Sequence, residues 1–139
     1  MATETVFIDT SAFKAMADPR DEFHKKAQII WKNLQQDKSK LVTSNYILDE
    51  TYTVIRTKRN LTTAIQFRET MIDGLLDAIQ IYRITVDDET AAWKWFTQKW
   101  SRLSFTDCVC FAQMKRLGLK RVFTFDTHFK KAGFKIESI

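Results

Sequence analysis

The sequence is poor in the residues that interrupt regular structure. Its 139 residues include only three glycines and one proline, which leaves little room for linkers or disordered tails. It contains no internal repeat and no low-complexity segment. No apolar run approaches the roughly 18 residues that a membrane span needs, and the amino terminus has no basic-then-apolar signal pattern. We therefore expect a single domain over residues 1–139, located in the cytoplasm and not in a membrane.

Cysteine and histidine are also scarce, with two of each. Cys108 and Cys110 lie two residues apart on one predicted helix and so point to different faces, a spacing that suits neither a disulfide nor a zinc knuckle. We expect both to be core thiols in a reducing compartment. His24 and His128 are far apart in the sequence and have no ligand partners at zinc spacing. We expect them to be solvated or packed imidazoles.

Positive charge is in moderate excess. The formal net charge is +5 and the pI is near 9.3, which favours a polyanionic partner without specifying one. Arg56, Lys58 and Arg59 form a basic cluster at the end of a predicted helix. They are possible RNA contacts through phosphate groups, and a role in complementing the carbonyl end of the helix dipole explains them equally well.

Short apolar strands alternate with amphipathic helices along the chain. We predict strands at 5–8, 41–43, 79–84, 122–125 and 134–136 and helices at 11–17, 45–56, 62–76 and 107–117, with two further helices beginning at Asp18-Pro19 and at Asp87. Ser44 and Thr106 are predicted N-caps, and Gly118 is predicted to end the helix at 107–117. This alternation predicts an α/β fold, a three-layer α/β/α sandwich around a central, mostly parallel sheet of four to five strands.

Acidic side chains follow the ends of these elements. Asp9 comes directly after the first strand, and Asp126 comes after the strand at 122–125. Because right-handed crossovers put the carboxyl ends of parallel strands on one side, both should lie at the same edge of the sheet. Asp107, in the first turn of its helix, and Glu50, at the margin of an apolar helix face, point to this edge as well. Asp107 and Asp126 each have an ordinary explanation as a helix or turn acid, but the four together predict a carboxylate cluster.

Such a cluster needs cations. Two carboxylates about 4 Å apart repel by about 4 kcal/mol at an effective dielectric of about 20, so the group must protonate, separate or bind a metal. Oxygen-only ligands favour Mg²⁺ or Mn²⁺ over zinc. A metal in this setting activates water and neutralises charge on a phosphoryl oxygen. Four neighbouring hydroxyl groups can orient a water, a ligand or a phosphate, and they belong to Thr10, Ser11, Thr106 and Thr124.

Four segments give the chain a resemblance to a known family over nearly its full length. They are Phe-Ile-Asp-Thr-Ser-Ala at 7–12, Glu50 in the helix after the second strand, Leu-Ser-Phe-Thr-Asp at 103–107 and Thr-Phe-Asp-Thr-His-Phe at 124–129. In these segments, their order and their separations, the chain resembles the PIN-domain ribonucleases, specifically the VapC toxins of bacterial and archaeal toxin–antitoxin pairs.

The resemblance implies metal-dependent endonucleolytic cleavage of RNA, a homodimer, and inhibition by a small antitoxin whose tail enters the acidic groove. The family's four catalytic acids would be Asp9, Glu50, Asp107 and Asp126. On this basis we expect the first, third and fourth of these to bind Mg²⁺ or Mn²⁺, with Glu50 as a direct or water-mediated fourth ligand.

Other functions fit the residues less well. A phosphotransfer enzyme of the haloacid dehalogenase kind needs a second aspartate two residues after the first, and Ser11 occupies that place. A response-regulator receiver usually has paired acids by its first strand and a lysine after its last core strand, but Thr10 and Thr127 flank the acids here. The main alternative is a non-catalytic RNA- or protein-binding module with an α/β fold, in which the acids only cap helices and turns.

Three large aromatic residues recur at helical spacing near the end of the helix that begins at Asp87. They are Trp93, Phe96 and Trp100, at positions i, i+3 and i+7. The spacing predicts that they face the core, and exposed aromatics that stack on bases are the alternative.

Overall fold

A parallel β-sheet forms the centre of the structure, a computed structural model that describes residues 4–74 and 78–139. Its strands are β1 Thr5–Ile8, β2 Lys40–Ser44, β3 Ile79–Tyr82, β4 Arg121–Phe123 and β5 Lys135–Ile136. The order across the sheet is β3-β2-β1-β4-β5, and every pairing is parallel. The predicted α/β class and parallel sheet are confirmed, although β3 and β4 each end two residues earlier than predicted.

Helices cover both faces of this sheet. They are α1 Thr10–Ala17, α2 His24–Gln36, α3 Asn45–Lys58, α4 Leu61–Phe67, α5 Val86–Phe96, α6 Phe105–Leu117 and α7 His128–Lys131. Right-handed crossovers put α1 to α4 on one face and α5 to α7 on the other, because the chain reverses its direction across the sheet after β3. α1 packs against α2 and α3, and α5 packs against α6. The result is the predicted three-layer sandwich. None of the described helices is both long and apolar enough to cross a bilayer.

Helix α6 contains a long continuous stretch of buried residues. Every residue from Asp107 to Met114 is buried, and both cysteines are free thiols in this stretch, as predicted. Gly118 ends the helix with a φ of 70°, in the left-handed region that glycine adopts without strain. The predicted N-cap was wrong: Ser104 takes that position with extended backbone, and its Oγ accepts the Asp107 N–H at 3.0 Å. Thr106 therefore lies inside the first turn.

Of two other helix starts, one agrees with the prediction and the other does not. Ser44 caps α3 as expected, its Oγ accepting the Ile47 N–H at 3.2 Å. The second helix does not begin at Asp18-Pro19 but at His24. The reason is that the Asp18 carboxylate accepts the Arg20 N–H at 3.0 Å and so closes a local turn in place of capping a helix.

The helix predicted at 62–76 changes its winding partway. Asn60 caps α4 by accepting the Thr63 N–H at 2.7 Å, and α4 continues from Phe67 as a π-helical segment over Arg68–Asp73. The last two residues of the predicted helix, Leu75 and Leu76, lie outside the described residues.

Two of the three aromatic residues predicted to face the core, Trp93 and Phe96, do not do so. Trp93 is 56% exposed and Phe96 is 40% exposed. Phe96 packs edge-on against Phe105, and Trp93 packs against the same ring at a tilt of 52°. The buried stripe of α5 instead runs through Asp88 and Ala92. Since α5 carries apolar residues on two adjacent stripes, their spacing alone does not identify the inward one. Of the three predicted aromatics, Trp100 packs against the main core, as Trp95 of α5 also does.

Candidate metal centre

Asp9 lies at the carboxyl edge of the sheet and is 3% exposed. Its backbone N–H donates to the Phe123 carbonyl at 3.0 Å, which extends the pairing of β1 with β4 by one bond. Its side chain occupies the N-cap position of α1 without making a capping hydrogen bond. The carboxylate is therefore held in place by the sheet and remains available to other groups.

Two hydroxyl groups bind one oxygen of this carboxylate. Asp9 Oδ2 accepts from Thr124 Oγ1 at 2.7 Å and from Ser11 Oγ at 3.2 Å. The same hydroxyl oxygens accept hydrogen bonds from backbone N–H groups of the loop after β4. The Asp126 N–H donates to Thr124 Oγ1 at 3.0 Å, and the Phe125 N–H donates to Ser11 Oγ at 2.9 Å. These bonds tie that loop to the start of α1. The other oxygen, Asp9 Oδ1, is buried and has no hydrogen-bond partner among the described residues.

The four predicted acids come close enough to affect one another's charge. Burial, together with the neighbouring charges of Asp9, Asp126 and Glu50, raises the pKa of Asp107 from 3.8 to about 8. Burial likewise raises the pKa of Asp9 to about 6, opposed by the hydrogen bond from Thr124 and reinforced by Glu50 and Asp126. The predicted convergence of carboxylates is thus present at this edge.

The chain brings these acids together from separate elements. Asp107 is 7% exposed in the first turn of α6, and Asp126 is half-buried in the loop after β4. Glu50 is half-buried in the second turn of α3, whereas its neighbour Asp49 is exposed to solvent. Of these two adjacent acids, Glu50 is thus the more buried.

The remaining predicted hydroxyl residues are placed differently. Thr10 is buried in the first turn of α1, and its Oγ1 has no hydrogen-bond partner among the described residues. Thr106 is half-buried in the first turn of α6. Ser11 and Thr124 are thus the two hydroxyl residues that contact an acid of the cluster directly.

The three residues of the basic cluster at the end of α3 have different surroundings in the structure. The guanidinium of Arg59 lies 3.5 Å from the Asp18 carboxylate, an ion pair that joins the ends of α1 and α3. Arg56 and Lys58 are exposed. They lie about 9 to 12 Å beyond Glu50 along the helix axis.

His128 belongs to the cluster, a placement that we did not predict from the sequence. Its Nδ1 lies 2.9 Å from Asp126 Oδ1 and 3.7 Å from Asp107 Oδ2. Its backbone N–H donates to Asp126 Oδ1 at 2.9 Å, which closes the turn that carries both residues. The signal that would have found it is the Asp-Thr-His spacing directly after a strand, since a turn there returns the third residue to the first.

The donor set fits a divalent cation. Single ligand atoms of Asp107, Asp126 and His128 lie within 4.8 Å of one another. The unpartnered Asp9 Oδ1 adds a buried anionic oxygen that no described side chain or backbone group satisfies. Several carboxylates this close are stable only if they take up protons or a cation, so the cluster is one that could bind a metal ion.

Comparison with known proteins agrees with this fold. Residues 6–135 match the model of the PIN domain family. The chain therefore belongs to the PIN domain family. This match confirms the resemblance found in the sequence.

Similar proteins of known name point to one branch of the family. The chain is 28% identical over 130 residues to the 23S rRNA-specific endonuclease VapC20 of Mycobacterium tuberculosis, an alignment that covers 93% of this chain and 95% of that protein. The crystal structure of that species' VapC20, a sarcin–ricin loop cleaving toxin, superposes with a TM-score of 0.81 and 29% identity over 96% of this chain and 99% of the other. These comparisons confirm the predicted class, a VapC-type endoribonuclease.

A more distant structure shows the same fold. VapBC2 from Rickettsia felis, bound to a DNA fragment from its promoter, superposes with a TM-score of 0.69 at 12% identity, covering 96% of this chain and 97% of the other. The sheet order and its helical layers are thus shared well beyond recognisable sequence similarity.

Proposed function

We propose that this endoribonuclease is the toxin of a toxin–antitoxin pair and that it uses Mg²⁺ or Mn²⁺ held by Asp9, Asp107 and Asp126. The observation that carries the proposal is the burial of Asp9 and Asp107 within reach of each other's charge, with Asp9 Oδ1 unpartnered within residues 4–74 and 78–139. A site of this kind costs stability when empty, and a cation bound to it relieves the cost.

We assign a role to each predicted site residue at the carboxyl edge of the sheet. A bound divalent ion supplies Lewis acidity toward a water and a phosphoryl oxygen. Ser11 and Thr124 hold Asp9 in one orientation through its Oδ2, which leaves Oδ1 directed away from them as a ligand. Glu50, being half-buried, is placed to bind the ion directly or to accept a proton from the attacking water. Thr10 and Thr106 line the first turns of α1 and α6, where they can orient water or phosphate.

The proposed substrate is a structured ribosomal RNA. The net charge of +5 favours a polyanion, and Arg56 and Lys58 present exposed cations beyond Glu50 on α3. Arg59, which the sequence suggested as an RNA contact, is a weaker candidate than Arg56 and Lys58, because its guanidinium is paired with Asp18. The similarity to VapC20 makes the sarcin–ricin loop of 23S rRNA the first RNA to test.

Two protein partners complete the proposal. We infer a small cognate antitoxin, since solved relatives of this fold include VapBC complexes, and a homodimer of this chain. The site of action would be the cytoplasm, where Cys108 and Cys110 stay reduced. Light scattering of the purified chain, with and without a candidate antitoxin, tests both partners.

The test of the activity is cleavage of ribosomal RNA by the purified protein. Fragments should appear with Mn²⁺ or Mg²⁺ and disappear with chelator. If RNA binds with either metal present but is never cut, while calorimetry detects no metal binding, the alternative of a non-catalytic RNA-binding module is correct.

A further inference from the structure

The imidazole of His128 lies among the carboxylates without any role in the proposed function. Its Nδ1 is 2.9 Å from Asp126 Oδ1. At that distance an N–H group pointing at a carboxylate would make a strong, charge-assisted hydrogen bond. Nδ1 is nevertheless buried without a hydrogen-bond partner among the described residues, so the carboxylate oxygen lies off the direction of an N–H bond.

The other ring nitrogen fixes the tautomer. Nε2 lies 2.7 Å from the Ser101 carbonyl oxygen. A carbonyl oxygen can only accept, so Nε2 carries the proton, and in the neutral ring Nδ1 then presents its lone pair to the acidic edge. The ring is also held in place by Trp100, whose plane is parallel to it within 6°. Metal-binding histidines commonly donate their second ring N–H to a carbonyl in this way.

We propose that His128 Nδ1 is a nitrogen ligand of the metal centre and that the centre consequently prefers Mn²⁺ to Mg²⁺. The proposal rests on the proposed function, since it takes a divalent ion at Asp107 and Asp126 as given. Ligands at right angles around an ion with bonds of about 2.1 Å are about 3 Å apart. The 2.9 Å between Nδ1 and Asp126 Oδ1 matches that spacing, and Asp107 Oδ2 is 3.7 Å from the same nitrogen.

A nitrogen ligand changes which ion the centre holds best. Imidazole is a good ligand for first-row transition metals, whereas Mg²⁺ favours oxygen ligands and keeps several of its waters. Replacement of His128 should therefore weaken Mn²⁺ binding by at least about tenfold while it changes Mg²⁺ binding much less. The three aspartates alone would make no such distinction.

The competing explanation is that both ring nitrogens carry protons. The imidazolium would then neutralise Asp126 and Asp107 in place of a metal. In that case removal of the ring would strengthen the binding of both ions, because a competing positive charge is lost.

The experiment is pulsed electron paramagnetic resonance of the full-length protein loaded with Mn²⁺, without RNA. The spectrum of the wild type should show ¹⁴N modulation from a directly bound imidazole. In protein labelled with ¹⁵N-histidine the ¹⁴N signal should be replaced by that of ¹⁵N. His128→Phe keeps an aromatic ring against Trp100 and should abolish the coupling. His24→Gln is the matched control, since His24, the other histidine, contacts the Ala15 carbonyl and should leave the coupling unchanged.

Calorimetric titrations of the same proteins with each metal separate the possible failures. Mn²⁺ binding by the wild type without nitrogen coupling, or tighter binding of both ions by His128→Phe, would overturn the His128 ligand and leave the metal centre standing. No Mn²⁺ binding by the wild type at millimolar concentrations would overturn the metal centre itself and His128 with it. Should His128→Phe fail to fold, the labelled wild-type spectrum decides the matter alone.

Discussion

Replacing Asp107 with asparagine should stabilise the metal-free protein, and by more at higher pH. Burial, followed by the charges of Asp9, Asp126 and Glu50, raises the pKa of Asp107 from 3.8 to about 8. The folded state therefore binds more protons than the unfolded chain between about pH 4 and pH 8. Stability is fully retained below the unfolded pKa and is lost as pH rises through this window.

The size of the effect follows from the two pKa values. Each factor of ten in proton affinity is worth slightly more than 1 kcal/mol, so the full cost of ionising Asp107 is on the order of 5 kcal/mol. At pH 5, about one pH unit above the unfolded pKa of 3.8, only the first of these tenfold steps contributes to the cost. Asparagine carries no charge and does not incur this cost. The free energy of unfolding of Asp107→Asn should therefore exceed that of the wild type by on the order of 3 kcal/mol more at pH 8 than at pH 5.

Other titrating acids do not obscure this difference. Burial raises the pKa of Asp9 to about 6, which lowers stability as pH rises from about 4 to about 6 in the wild type and the variant alike. Asp18 and Asp88 have lowered pKa values, because hydrogen bonds and cationic partners outweigh their burial. Their contribution is present above the unfolded pKa and is lost only as pH falls below about 4, outside the window.

Urea unfolding with chelator at pH 5 and pH 8 measures the effect. Asp49→Asn is the matched control, since it removes one carboxylate beside Glu50 that is exposed to solvent. The control should follow the wild type at both pH values. Equal wild-type stability at pH 5 and pH 8, or a loss of stability in Asp107→Asn at pH 8, would refute the reasoning.

Three further outcomes are expected. Mn²⁺ at 100 times its Kd should stabilise the wild type at pH 8 by about 3 kcal/mol, and Asp9→Asn should lose this shift in thermal melts; an equal shift in both proteins would exclude Asp9 as a ligand. Thr124→Val removes the hydrogen bond to Asp9 Oδ2 and should weaken metal binding by about tenfold in calorimetry, so unchanged affinity would count against its orienting role. Arg116→Met leaves the Asp88 carboxylate, 1% exposed, without its bidentate partner. Because Arg116 itself is 39% exposed, the fold should lose about 1 to 2 kcal/mol of stability while metal affinity stays unchanged, and no measurable loss in urea unfolding would contradict this.

The parts of the fold that could be predicted are those fixed by local pattern and by handedness. An acid directly after β1 and another in the short loop after β4 place Asp9 and Asp126 at the same edge, because parallel strands share a direction. Gly118 ends α6 for a similarly local reason, since a left-handed residue is needed there.

The parts that could not be predicted depend on competition between equally local choices. Ser104 and Thr106 are both residue types that cap helices, and in the structure Ser104 caps α6. The exposure of Trp93 depends on which of two apolar stripes of α5 meets α6. His128 reaches the acids only through a turn closed by its own N–H, which strand and helix periodicity do not reveal.

The most direct test of the carboxylate centre is RNA cleavage by matched variants that differ in one acid. Wild type, Asp107→Asn and Asp49→Asn would be compared on an RNA carrying the sarcin–ricin loop and on total ribosomal RNA, each with Mn²⁺ and with chelator. The account predicts metal-dependent cleavage by wild type and Asp49→Asn, and a loss of at least about a thousandfold in Asp107→Asn despite its greater stability, because oriented charge at the reacting phosphate is lost. Cleavage by Asp107→Asn at the wild-type rate, or cleavage by the wild type that persists in chelator, would contradict it.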